Sequence, residues 1–186
     1  SLVLLTMIPL AASAQSSCTL SDTPTDVSRW IESRFAKGKV PPFSFVYDGK
    51  PSAGLLRKWK YTAQRVENSE PGVREYLYSY QDRRSGLKVE CRVKGFADFG
   101  AVEWVLSFKN LSDANSATIE QVKVVDLNLT SPGEGSFTVH YADGSHVSKT
   151  DFHQRTKVLA PGDSLYMAPE GGRSSQNAFP FFNIEA

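Results

Sequence analysis

The densest hydrogen-bonding chemistry in the sequence lies between Pro169 and Phe182. Gly171 and Gly172 free the backbone to bend or to approach another surface closely. Arg173, Ser174, Ser175, Gln176 and Asn177 then supply five consecutive polar side chains, and Phe179, Phe181 and Phe182 follow as apolar anchors. Directed donors beside aromatic faces suit a polyol, whose hydroxyls need the first and whose ring needs the second. The same residues also describe an ordinary structured turn that enters a buried strand, and both readings stay open. Hydrolytic nucleophiles are poorly served, because no Gly-x-Ser-x-Gly elbow accompanies His140, His146 or His153. The spacing of those histidines crosses a hairpin and matches no closed metal site, so they read as solvated turn residues. Paired carboxylates would be needed for glycoside cleavage. Asp48, Asp98, Asp143, Asp151 and Glu170 are candidates by type, but Asp suits turns on backbone grounds alone and nothing singles out a pair. No glycine-rich phosphate loop opens a helix, and no cofactor is expected.

The elements that must position these residues are mostly strands. Val27, Trp30, Ile31 and Phe35 recur at helical spacing within Thr25–Ala36, so one short amphipathic helix is predicted, ended by Gly38 and barred from continuing by Pro41-Pro42. From Phe43 the period changes to two. Strands are predicted over 43–48, 58–66, 74–81, 87–96, 101–109, 118–130, 137–141, 156–160, 164–168 and 179–185. Gly49-Lys-Pro51 and Asp82–Gly86 supply turns, and no further helix is expected after Ala36. In 87–96, Leu87, Val89, Cys91 and Val93 face one way, and Lys88, Glu90, Arg92 and Lys94 the other. The segment 118–130, apolar on both faces in part, reads as a strand covered twice. Tyr76, Tyr78 and Tyr80 share a face and, with Trp59, read as core or as a stacking platform. The fold class is mainly β, a large antiparallel sandwich spanning 43–186 with one N-terminal helix and no linker after Pro42.

With 186 residues the chain is below the roughly 200–250 that a (β/α)₈ barrel needs. The balance of 21 basic and 20 acidic residues gives a net charge of +1, which argues against nucleic acid or an anionic membrane as the default partner. Aromatics at 11% fit a turn-rich β protein with a sizeable core. Residues 1–14 are apolar and end in the small-x-small Ala12-Ser13-Ala14, the form of a signal-peptidase site, and they are too short to span a membrane. They read as a signal-peptide remnant, 15–42 as linker plus helix, and the chain as an exported, periplasmic or extracellular fragment of a longer protein. Two cysteines in such a chain either pair, Cys18 with Cys91, or leave Cys91 a buried free thiol.

Asp98-Phe-Gly-Ala-Val-Glu-Trp-Val-Leu-Ser-Phe-Lys-Asn110 resembles a strand of glycoside hydrolase family 36, the α-galactosidase family. Gly172-Arg-Ser-Ser-Gln-Asn-Ala-Phe-Pro-Phe-Phe182 resembles its polar loop leading towards the barrel, and Pro42–Lys50, Trp59 and Asp151-Phe152 follow in compatible order. The resemblance covers about Pro41 to Glu185. It implies an N-terminal β-supersandwich, itself non-catalytic, packed on a C-terminal (β/α)₈ barrel that carries both catalytic aspartates. No catalytic residue is therefore expected in this chain. The implied partners are that barrel, its galactoside substrate and further copies in a homo-oligomer. Arg173 to Asn177 is then the loop facing the barrel. Trp104 is expected inward and Glu103 outward. The alternative is a free-standing carbohydrate-binding module or periplasmic binding domain.

Overall fold

A computed structural model describes residues 23–67, 70–130 and 135–185. The signal-like segment, most of the expected linker and Cys18 lie outside the described residues. The described residues are mainly β, with three antiparallel sheets and two α-helices, the longer one amphipathic and at the N-terminal side. It divides after Leu127 into two compact units.

In the first unit, α1 (Thr23–Phe35) begins two residues earlier than its periodicity suggests. Val27, Ile31 and Phe35 fall on one stripe and are buried, while Trp30 is half-buried with Arg34 over its ring. The stripe seats at Gly95. A Cβ there would stand 2.8 Å from both Ile31 Cδ1 and Val27 Cγ1, so the missing side chain is what admits the helix. Below it runs a four-stranded sheet in the order β3 (Lys60–Val66), β4 (Val73–Gln81), β5 (Leu87–Phe96), β6 (Ala101–Asn110). Alternation fixes its register: Tyr76, Val93 and Trp104 are cross-strand neighbours on the core face, then Tyr78, Cys91 and Leu106, then Tyr80, Val89 and Phe108. The opposite face carries charge. Glu90 takes Lys88 at 2.7 Å and Lys109 at 2.5 Å, Glu75 pairs with Arg92, and Glu103 meets Lys94 at 3.9 Å. Bonds from Lys109 and then Lys88 hold the Glu90 carboxyl below the usual range.

A second layer closes the core. β1 (Ser44–Tyr47) lies between β2 (Lys50–Pro51) and β7 (Ile119–Lys123). Phe43 meets Tyr80 edge-on at 6.2 Å and Phe45 meets Phe108 at 5.2 Å, which makes the unit a small sandwich. The tyrosines belong to this core: Tyr78 and Tyr80 are buried and Phe35 stacks on Tyr78 at 4.9 Å, so they form no exposed platform. Cys91 is a free, buried thiol whose pKa burial pushes up, which leaves it chemically inert.

Several expectations fail locally. The β1 turn uses Asp48 and Gly49, at φ 51° and 68°, and Lys50-Pro51 already forms β2. Ser52–Leu56 is a five-residue helix, α2, too short to show a period; it buries Leu56, and the Phe45 N–H donates to Ser52 Oγ at 3.1 Å. The long strand expected over 118–130 shrinks to Ile119–Lys123. β7 has a sheet partner on one side only, Gln121 turns to φ 49°, and Val122 and Leu129 are exposed.

In the second unit, β8 (Phe137–Asp143) lies between β9 (Gln154–Leu159) and β10 (Ala178–Glu185). Residues 164–168 form no strand. Leu165 and Met167 are half-buried and Tyr166 stands 89% exposed, so the alternation is present without a ladder. Phe179 packs edge-on against Phe152 at 5.4 Å, whereas Phe181 and Phe182 are exposed, so the strand after the polar loop is not a buried one.

Candidate functional site

The polar stretch folds as a tight loop between Pro169 and β10. Its backbone closes on itself: Glu170 N–H donates to Gln176 O at 3.2 Å, and Arg173 N–H to Glu170 O at 3.3 Å. It is then tied to the loop after β8. Ser145 N–H donates to Ser175 O at 2.8 Å, and Ser145 and Gln176 form a parallel bridge. Gly144 makes this approach possible, and Gly171, at φ 61°, bends the loop beside the Gln176 side chain. A Cβ on buried Gly144 would lie 2.1 Å from Ser175 O, and one on Gly171 would lie 2.5 Å from Gln176 Oε1. Asn177 adopts φ 66°, a conformation Asn tolerates better than most residues. Its Nδ2 donates to Glu170, and its Oδ1 is buried without a partner among the described residues.

The five candidates therefore do different work. Ser175 and Gln176 lend their backbone groups to the loop's closure and to its tie with Ser145. Arg173 and Ser174 are exposed at its tip, with no hydrogen bond from either side chain among the described residues. Asn177 lines a cavity of about 430 Å³, together with Tyr141, Asp143, Tyr166 and Glu170. Asp143 is fixed there by Arg155, whose Nε and guanidinium NH2 donate at 3.0 and 2.8 Å and hold the carboxyl low. Two carboxylates and two tyrosines around such a space can take hydroxyls and a sugar face.

Asp151 is the residue that sequence reasoning filed among generic turn acids and that organises the supporting loop. It accepts from Ser145 Oγ at 2.7 Å, from the N–H groups of His146, Val147 and Ser148 at 2.8, 3.0 and 3.1 Å, and from Ser148 Oγ at 3.1 Å. The Ser145 hydroxyl and then the His146 amide hold its pKa far below the carboxylate range. A depressed folded pKa stabilises above the unfolded value and loses that contribution as pH falls through the folded one. The expected result is an Asp151 carboxyl carbon whose NMR shift stays flat from neutral pH down to about pH 3, below the ordinary Asp value near 4. A midpoint near that ordinary value would show that the cap is not formed.

The other sequence candidates disperse. Asp48 and Asp98 belong to the first unit, and Asp48 is paired with Lys50. His140, His146 and His153 are exposed; His140 meets Glu185 at 3.2 Å, and no metal-ligating group of three is present among the described residues. No described helix is long and apolar enough to cross a membrane. Comparisons with family models, with curated proteins and with solved structures find no match.

Proposed function

We propose that the chain is the non-catalytic N-terminal β-sandwich domain of an exported α-galactosidase-like glycoside hydrolase, and that it packs on the enzyme's barrel and shapes its galactoside pocket. The observation that carries this reading is the pinned loop. Its backbone is held by Ser145 and its own turns, while Arg173 and Ser174 are left facing solvent. Trp104 lies in the core and Glu103 on the charged face, the alternation that the resemblance implies for that strand. Export and homo-oligomer contacts belong to the same proposal.

The test is hydrolysis of aryl α-galactosides by the complete gene product and by residues 1–186 alone. Turnover is expected from the first and none above a contaminant control from the second.

A further inference from the structure

The first unit carries a groove that the galactosidase reading does not use. It has a volume of about 1000 Å³, at the upper end for small-ligand sites. Its floor is aromatic. Trp59 is held in place by Phe45 at 6.3 Å and edge-on by Tyr47 at 6.0 Å, and beside it the Tyr61 hydroxyl donates to Phe35 O at 2.7 Å. Its rim is cationic. Lys37 follows α1, Lys58 follows α2, Lys60 opens β3, and Arg83 and Arg84 sit in the β4–β5 turn.

The charges there are uncompensated. No ion pair among the described residues engages Lys37, Lys58, Lys60 or Arg83. Lys50, also on the rim, is paired with Asp48 at 3.4 Å. Asp82 is occupied by its own turn, accepting from Arg84 N–H at 3.0 Å and Ser85 Oγ at 2.8 Å. Six cations against these two carboxylates leave a local excess of four positive charges, in a chain whose net charge is +1. Like charges gathered around a concave aromatic surface repel one another, and an anionic ligand relieves that repulsion.

We propose that this groove binds a short acidic oligosaccharide, one bearing carboxylate or sulfate groups. Lysine and arginine on the rim meet the anions, and Trp59 meets a sugar face. Asn115, also lining the groove, can meet a hydroxyl. Nucleic acid fits less well. A long polyanion needs a basic stripe that continues beyond one groove and a row of exposed rings for successive bases, whereas here Tyr47 is buried and Trp59 and Tyr61 are half-buried, which leaves ring edge and face for one sugar but no row.

The inference does not rest on the galactosidase reading, and inactivity towards galactosides leaves it standing. The test is calorimetric titration of the chain with an oligogalacturonate, a sulfated chondroitin oligosaccharide, a neutral galacto-oligosaccharide of similar length, and a short oligo-dT. The expected result is saturable binding of an acidic sugar, weakened by salt, with the carboxylated and sulfated arms showing which anion is preferred. Neutral sugar should bind at least about tenfold more weakly. The Lys58→Gln, Lys60→Gln, Arg83→Gln triple variant changes exposed residues only, so its circular dichroism should match the parent, and its affinity should fall roughly tenfold or more. No binding of either acidic sugar, equal binding of the neutral one, tighter binding of oligo-dT, or an unaffected triple variant overturns the proposal.

Discussion

Trp104→Ala should be the most damaging single substitution in the first unit, costing about 3–5 kcal/mol. Trp104 is 2% exposed, beneath α1, with Trp30 at 6.2 Å and Phe35 edge-on at 6.3 Å. Truncation removes the ring that joins the helix to β6 and leaves a cavity beneath α1. It also removes the donor to Val124 O at 2.8 Å. Trp104→Phe separates the two effects: most of the ring stays while the carbonyl loses its partner, so a smaller cost of roughly 1–3 kcal/mol is expected. Urea unfolding followed by fluorescence reads this unit selectively, because Trp30, Trp59 and Trp104 all lie before Leu127. Equal costs for the two variants would mean that ring packing contributes little.

Gly144→Ala should release the polar loop. The added methyl would meet Ser175 O at 2.1 Å, Ala178 N at 2.5 Å and Asn177 N at 2.6 Å, all backbone atoms that no rotamer change can move aside. Overpacking of this kind costs about 1–3 kcal/mol or more, and the cheapest relief is to break the bridge from Ser145 to Gln176. Amide exchange at Ser145, whose N–H is bonded to Ser175 O, should then accelerate roughly 10–100-fold, with amides of the first unit unchanged. Unchanged exchange at Ser145 would contradict the pinned-loop geometry on which the proposed function depends.

How much was readable in advance depended on whether one periodic run or several distant segments had to agree. Leu87–Phe96 was legible to the residue, because strict alternation of Leu87, Val89, Cys91 and Val93 with charged neighbours leaves one register. The helical stripe Val27, Ile31, Phe35 was legible for the same reason. Val124 and Val125 misled, since they are packed against the core outside any ladder, where apolarity alone cannot distinguish a strand from a covered loop. Leu165 and Met167 misled through an alternation that no partner strand takes up. Within the candidate loop, the dense polar run was visible, but the division of labour was not. Gly144 meets it backbone to backbone from the loop after β8, and Asp151 holds Ser145, which is bonded to it, contacts that residue types do not encode. The basic groove was invisible because its cations come from separate segments, each carrying only one or two of them.

The most direct test of the central claim is a steady-state assay of the complete gene product on an aryl α-galactoside, with Arg173→Ala and Ser174→Ala introduced together. Both side chains are exposed and uninvolved in the loop's closure, so folding is expected to survive. The account predicts turnover by the complete product, none by residues 1–186 alone, and a KM raised about tenfold with kcat changed less, as for a group that binds substrate without taking part in the chemistry. Turnover by the chain alone, no turnover by the complete product, or an unaltered KM would contradict it.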